Sequence, residues 1–489
     1  MRLATLFADL PVTVVGDDSV AIERITEDSR RAGPGTLFVA RRGQVVDGHD
    51  YLDDALARGG AAVLCRRPPP TTGRATVVVA DDPYAVAVAA AHRLAGAPCA
   101  HLQLTGITGT NGKSTTAFLI CHLLAQRGPD AGLIGTLEYR VGPHRLPAPH
   151  TTPDGLRVIE LLGAMRAAGS DHAVMEVSSH GLDQQRVAGC RFTTVVFTNL
   201  TQDHLDYHRD MESYFAAKGL LFRPPLAVAG TVAVLNSDDP YGRRLAATTA
   251  VGVLTYGLGP GAAVRATDLD LRSEHSRFTL HHEGHAVPIT TRLLGEVNVY
   301  NVLAAAAVGL RYGWPLAEVA AALGSAAPVP GRYQRLGSDR PAVVVDYAHT
   351  PDALARAVAD CRRLTRGRLI LVFGCGGDRD RAKRPLMGAA ATGAERVILT
   401  SDNPRSEPPR QILAEIEPGL GDHPYTVEVD RARAIAAAIG EAADDDLVLI
   451  AGKGHEDYQI VGAARLPFDD REVAAAALAR RAVVSGVGR

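Results

Sequence analysis

Lys113 and Ser114 close the run Gly106-Ile-Thr-Gly-Thr-Asn-Gly-Lys-Ser-Thr115. Its glycines let the backbone turn and point successive N–H groups at one anion. A lysine after such a turn reaches the outer phosphates of a nucleotide, and a serine hydroxyl can ligate Mg²⁺. Glu176 ends an apolar run in His172-Ala-Val-Met-Glu-Val-Ser-Ser-His180. A carboxylate at the end of a strand beside a phosphate-binding loop is where a nucleotide triphosphatase holds its Mg²⁺. Asp203, His204, Asp206 and His208 are crowded into Thr198–His208 and suit a divalent cation, with one or two of them as ligands. No cysteine lies near, so a four-ligand zinc cage is not expected there. Lys218 follows in a mostly apolar segment with Tyr214, Phe215, Leu220 and Leu221. By itself such a lysine snorkels to solvent, but its metal- and phosphate-rich surroundings argue for a role.

A second group lies far downstream. Arg379 and Arg405 pair in sequence with the carboxylates of Asp402 and Glu456. Guanidinium and carboxylate together can hold a zwitterionic amino acid. An Mg-ATP site and an amino-acid pocket in one chain suggest ATP-driven amide formation. Phosphorylating a carboxylate creates a leaving group, and Lys113 with Mg²⁺ would screen the two anions that must meet.

These residues need strands and helices to hold them. The phosphate loop reads as a short strand (102–105), a glycine turn and a helix (117–125). A small α/β domain over 1–99 precedes it. Its strand-like runs are 12–15, 36–40, 61–65 and 75–80, and its helical stretches are 51–58 and 83–94. The central domain, 100–335, continues with expected strands at 132–139, 172–176, 193–197 and 232–236, an antiparallel section over 251–291 and a helix from 302 to 312. His150-Thr-Thr-Pro-Asp154 is expected to open a helix, and its residue types suit a helix cap and a ligand site equally well. The third domain, 336–489, alternates strand-like runs (342–346, 368–373, 396–400, 426–429, 447–451) with helices, which implies a parallel sheet with right-handed crossovers. Its polar motifs sit at strand ends, where open sheets place ligands. Gly374-Cys-Gly376 is not read as a dinucleotide loop, because Arg379 stands where the third glycine belongs. Residues 483–489 are expected as a frayed tail.

Size and composition agree. At 489 residues the chain implies about two to four domains. A net charge of −2 gives no global basic field for nucleic acid. Six cysteines without paired spacing fit reduced, buried thiols better than disulfides or a zinc site. No run approaches the roughly 20 apolar residues of a membrane helix, and the N-terminus lacks a signal-peptide core. A cytoplasmic protein without a membrane span, working as a monomer, is expected.

The motifs Gly106–Thr115, Glu176-Val-Ser-Ser-His180, Thr198-Asn-Leu-Thr-Gln-Asp-His204 and Asp346-Tyr-Ala-His349-Thr-Pro resemble the Mur ligase family. The fuller set, with His150-Thr-Thr-Pro-Asp, Tyr214-Phe-Ala-Ala-Lys218, Gly374–Pro385, Asp402-Asn-Pro-Arg405 and Gly452-Lys-Gly-His-Glu456, looks like its diaminopimelate-adding members. The resemblance spans all three domains. It implies an α/β protein with an N-terminal uridine-nucleotide domain, a central P-loop ATPase domain and a C-terminal Rossmann-like α/β domain that binds the amino acid. It implies that Ser29, Gln44, Thr151, Thr152, Ser178, Gln184 and Arg186 hold UDP-N-acetylmuramoyl-L-alanyl-D-glutamate. Gly109, Thr110, Asn111, Gly112, Lys113, Ser114 and Thr115 would bind ATP phosphates, with Asn301, Arg332 and Asp346 also contacting ATP. Ser114, Glu176, His204 and Lys218 would serve Mg²⁺. Lys113, Glu176, His204 and Lys218 would carry the catalysis, and Lys218 matches the family lysine that CO₂ carbamylates. Arg379, Asp402, Asn403, Pro404, Arg405, Gly452 and Glu456 would bind meso-diaminopimelate, with Arg405 facing its second carboxylate. The implied reaction is ATP-dependent ligation of that amino acid in peptidoglycan synthesis, through an acyl phosphate. Ser114 stands where relatives commonly have threonine, which keeps the hydroxyl, while His150 and Gly219 also depart from the usual pattern. Two rivals are a folylpolyglutamate synthase, opposed by the C-terminal motifs, and a non-catalytic nucleotide-binding paralogue, opposed by the joint presence of Lys113, Glu176, His204 and Lys218.

Overall fold

The computed structural model describes residues 1–43, 46–68, 75–337 and 340–486, the last four by backbone alone. Among them are three large sheets and one small hairpin. The first sheet has five strands, in the order Thr13–Val15, Thr76–Val79, Ala62–Cys65, Thr36–Val39, Arg24–Thr26. All neighbours are parallel except the first pair. Arg24–Thr26 was not expected: a short strand with an alternating polar pattern gives too little apolar signal. The helix Pro83–Leu94 is capped by Asp82, whose carboxylate accepts from two backbone N–H groups, and buries Tyr84, Val86, Ala87, Val88, Ala90 and Ala91.

The central sheet has eleven strands. At its middle, Gln103–Thr108 lies between His172–Glu176 and Phe192–Phe197, both parallel to it. Glu176 is level with Ile107, and Phe197 with Thr108. All three strands therefore end at one edge, where the phosphate loop begins. The helix Lys113–Leu124 leaves that loop and packs on Glu296–Arg311, an alanine-rich helix whose small side chains allow close approach.

Several expected elements change. Gly106 is not part of the loop: the strand runs on to Thr108, and Gly106 is level with Val195 inside the sheet. A Cβ there would meet the Phe192 ring at 2.7 Å. The strand expected over 132–139 is two, Gly132–Ile134 and Glu138–Val141, folded antiparallel on each other. The section 251–291 is antiparallel only from Val264 onward, because Gly252–Gly257 runs parallel to its neighbours on both sides. The helix after His150 starts at Gly155, with Asp154 as its cap. Thr152 turns inward instead.

The third sheet runs Gln334–Leu336, Ala342–Asp346, Leu447–Ala451, Leu369–Phe373, Arg396–Leu399, Tyr425–Val427, parallel except for the first pair. Asp346 is level with Ala451, and Phe373 with Leu399, so their polar sequels share one edge. A hairpin, Tyr458–Val461 with Ala464–Pro467, follows beside that edge. No strand was expected there: the two segments are short and lie half-buried or exposed, with no face packed into the core. The last helix, Asp470–Gly486, runs into the segment expected as a frayed tail; 487–489 lie outside the described residues. All six cysteines are free; five are buried, and Cys99 is half-buried. No helix among the described residues is long and apolar enough to cross a membrane.

Candidate active site

Gly109 and Gly112 both have positive φ, 147° and 85°. A Cβ on Gly109 would sit 1.9 Å from the Thr198 hydroxyl, so only glycine lets the loop lie against the next strand end. Neighbours clamp the loop. Thr198 donates to the Asn111 carbonyl at 2.6 Å, and Asn199 Oδ1 accepts from the Asn111 N–H at 3.0 Å. Thr110 bonds to the Thr201 carbonyl at 3.2 Å and to the Tyr214 hydroxyl at 3.3 Å. Asn301 accepts from Thr116 on the loop helix and is itself held by Asn298.

Glu176 is fully buried. Its carboxylate accepts from the Ser114 hydroxyl at 2.9 Å, from the Thr136 N–H at 2.8 Å and from the Thr136 hydroxyl at 3.0 Å. All three donors are neutral. A hard cation is the partner that such an oxygen set suits, so Ser114 and Glu176 fit Mg²⁺. Two lysines meet above the loop: Lys113 and Lys218 both donate to the Gly109 carbonyl, at 3.0 and 2.9 Å. Lys218 does not snorkel; it is 2% exposed. Burial, and then repulsion from Lys113, pull its amine well below the ordinary lysine range. Burial also lowers Lys113, against the pull of Glu176 and Asp203.

His204 sits at φ 54°, 3.5 Å from the Asp203 carboxylate and 4.9 Å from the His180 ring. Burial is the main force that lowers it to about 4, so it is neutral at neutral pH and has a lone pair to offer. Among the described residues, no hydrogen bond joins it to Glu176 or Ser114. His208 stacks on Tyr214, its Nε2 buried without a partner.

Beside this centre lies a cleft of about 1490 Å³ between the first and central sheets. Ser29, Gln184 and Arg186 line it, together with Glu27, Arg41 and His150. Arg186 donates to the Thr152 carbonyl and to Gln184 Oε1, at 2.8 and 2.7 Å. Thr152 links onward to the Glu176 carbonyl and to Ser178, and Thr151 bonds to Thr136. Five of the expected dipeptide residues, Thr151, Thr152, Ser178, Gln184 and Arg186, are thus linked in a chain of hydrogen bonds that reaches Glu176 directly or through Thr136, and Ser29 lines the same cleft. Gln44 lies outside the described residues. Glu27 adds a group not singled out from sequence: burial raises its carboxyl to about 7 despite Arg41.

In the third sheet, Gly331 packs on Gly454, and Arg332 stacks on Tyr347 at 4.4 Å. Both Asp346 oxygens accept backbone N–H groups, from Tyr333 and Ala348. Asp346 therefore braces the turn that carries Arg332. Arg405 has φ 51°, and its guanidinium donates to the Gly377 carbonyl at 2.8 Å. A Cβ on Gly376 would touch Arg405 at 2.9 Å and Arg379 at 3.7 Å, which places the two arginines around one glycine turn. Asn403 donates to Glu456 at 2.8 Å, and Gly452 approaches the Asp402 carboxylate. Lys453, absent from the sequence-based set, is fully buried and bonds Glu456 at 3.1 Å and Asn403 at 3.4 Å. Its signal was only its place between two glycines.

Comparison with known proteins agrees with this layout. Residues 21–94 match the model for the Mur ligase family, catalytic domain. Residues 107–309 match the Mur ligase middle domain, and 331–454 the Mur ligase, glutamate ligase domain. A UDP-N-acetylmuramoyl-L-alanyl-D-glutamate–2,6-diaminopimelate ligase of Synechococcus sp. (strain WH7803) is 48% identical over 486 residues, covering 96% of this chain and 97% of its own. The ligase of the same name from Gloeobacter violaceus (strain ATCC 29082 / PCC 7421) is 48% identical over 490 residues, covering 98% and 99%. A solved structure of a ligase of that name superimposes with a TM-score of 0.71 at 32% identity, covering 99% of each chain. With three matched domains in this order and near-full-length relatives, the chain belongs to the Mur ligase family.

Proposed function

We infer that this protein is an ATP-dependent ligase that joins meso-2,6-diaminopimelate to the D-glutamate γ-carboxylate of UDP-N-acetylmuramoyl-L-alanyl-D-glutamate in cytoplasmic peptidoglycan precursor synthesis. The observation that carries the reading is the 48% identity, over nearly the whole chain, to ligases of that name. The units divide the work: residues 1–99 hold the uridine nucleotide, 100–335 the ATP and 336–489 the incoming amino acid. Ser29, Thr151, Thr152, Ser178, Gln184 and Arg186 line the path of the muramoyl dipeptide toward Glu176. The loop N–H groups and Lys113 take the ATP phosphates, and Asn301, Arg332 and Asp346 shape the nucleotide site. Ser114, Glu176 and His204 would hold Mg²⁺, which when bound supplies charge neutralisation to the phosphates.

Burial and the nearby Lys113 pull the Lys218 amine well below the ordinary lysine range, which eases loss of its proton and favours the form that attacks CO₂. Its carbamate would replace a cation by an anion beside Lys113 and relieve the repulsion between the two. The γ-carboxylate of D-glutamate attacks the γ-phosphorus of ATP and ADP leaves. The amine of diaminopimelate then attacks the acyl phosphate, loses a proton and expels phosphate. Arg405 and Arg379 orient that amino acid through its distal carboxylate, while Asp402, Asn403 and Glu456 hold its ammonium end. Phosphate release with the dipeptide nucleotide, ATP and a panel of amino acids tests the reading. Release with meso-diaminopimelate is expected; silence with every amino acid would overturn the activity, and preference for lysine would overturn the specificity.

A further inference from the structure

Three residues that no part of the ligase site uses come together behind the central sheet. They are His92, Cys99 and Cys190. Their ligand atoms, one imidazole nitrogen and two sulfurs, all lie within 4.8 Å of one another. His92 is in the last turn of the helix Pro83–Leu94. The chain then turns through Gly96 and Ala97, both at positive φ, with the Ala97 N–H bonded to the His92 carbonyl at 2.7 Å. That turn folds the short helix Pro98–Ala100 back, bringing Cys99 beside His92. Cys190 arrives from the other side, on the loop leading into Phe192–Phe197. Gly189 makes the approach possible: it has φ 76°, and a Cβ there would strike His92 Nε2 at 2.6 Å.

The chemistry of the set is selective. His92 Nε2 is buried and makes no hydrogen bond. A polar atom left so is costly unless a partner fills the place. Two thiolates and one imidazole are a borderline-soft donor set; it suits Zn²⁺ and not the hard Mg²⁺ of the phosphate loop.

We propose that His92, Cys99 and Cys190 form a zinc site that staples the first α/β unit to the central sheet. Binding releases two thiol protons to solvent and leaves a fourth position for water. The site lies at the start of Phe192–Phe197, whose other end meets the phosphate loop. The strand separates the two by roughly 20 Å, so the metal acts on the joint between units and not on turnover.

Co²⁺ titration of the reduced full-length chain provides the test. A thiolate-to-cobalt charge-transfer band is expected, saturating at one equivalent, displaced by Zn²⁺ and lost in Cys190→Ser. The same titration of Cys121→Ser is expected to match the parent chain. Because Cys190→Ser removes a buried group and could disturb folding, a second measurement uses the unaltered protein. Alkylation of Cys99, followed by mass spectrometry, is expected to slow about tenfold when free Zn²⁺ exceeds its dissociation constant by about tenfold. No cobalt band, a band that survives in folded Cys190→Ser, or Cys99 alkylation indifferent to Zn²⁺ would each overturn the proposal.

Discussion

The phosphate-loop centre and the amino-acid pocket of the third sheet are both built at strand ends, but they manage charge in opposite ways. At the loop, Glu176 and Lys218 are buried, the one bonded to the Ser114 hydroxyl and the other to the Gly109 carbonyl. Lys218 and Lys113 share one carbonyl, and burial lowers the proton affinity of both amines, with Lys113 adding to the shift at Lys218. In the pocket, Arg379 is exposed, and Arg405 donates only to backbone carbonyls. Their guanidinium groups keep unused donors for an incoming carboxylate. The contrast teaches where reaction and selection are separated. Groups that must act on developing charge are desolvated in advance, where electrostatic interactions are strongest. The arginines that must choose a ligand keep donors in reserve for it, while Asp402, Asn403 and Lys453 beside them are buried.

Substitutions should divide along the same line. Lys113→Met should have the largest effect, lowering kcat by roughly 10²–10³ with every amino acid, as for loss of one preorganised charge stabiliser. Steady-state phosphate release checks this; a defect confined to the amino-acid KM would break the comparison. Lys218→Ala should cost somewhat less, about 10²-fold in kcat, with the ATP KM little changed. Unaltered protein in CO₂-depleted buffer should also slow and recover with bicarbonate, whereas the variant should ignore bicarbonate. Arg405→Ala should lose one charge-assisted contact, about 1.5–3 kcal/mol, read as a rise of roughly tenfold to a hundredfold in the KM for meso-diaminopimelate. Its ATP KM should stay as it was. Equal losses in both parameters would show that the pocket also arranges the reacting groups.

The smallest effect concerns Glu27 in the cleft. Its carboxyl is raised by burial to about 7, above its ordinary value of 4.5. A raised acid binds more protons when folded, so its contribution to stability is present below pH 4.5 and falls as pH rises toward about 7. Ionisation also puts a negative charge where an anionic nucleotide must lie. The KM for the uridine nucleotide should therefore rise modestly through pH 7, and Glu27→Gln should flatten that profile.

Much of this was legible because it is local. The phosphate loop is contiguous, and glycine, lysine and serine in that order have few structural uses besides an anion. Alternation of strands and helices in the third unit was equally plain, since buried parallel strands are continuous apolar runs. Gly106 was misassigned because a glycine needed for Phe192 looks the same as one needed for phosphate. Lys453 and Asn199 were missed for a related reason: nothing in their immediate neighbours distinguishes a buried polar bracket from a solvated one. The hairpin Tyr458–Val461 with Ala464–Pro467 escaped because its apolar pattern is weak, yet its Ile460 N–H holds Asn403 at 2.9 Å.

The sequence by itself determined the kind of chemistry, because residue types set which charges, donors and nucleophiles exist. It also determined the order of the units, because hydrophobic periodicity sets which segments become strands and helices. Tertiary structure alone decided which of those groups meet. Glu176 faces Ser114 because two parallel strands end in register. Lys218 holds its proton less tightly because packing removes water around it. His92, Cys99 and Cys190 become neighbours only when two separately wound units close on each other. Pairing and desolvation depend on distance in space, and a chain order carries that distance only through the fold.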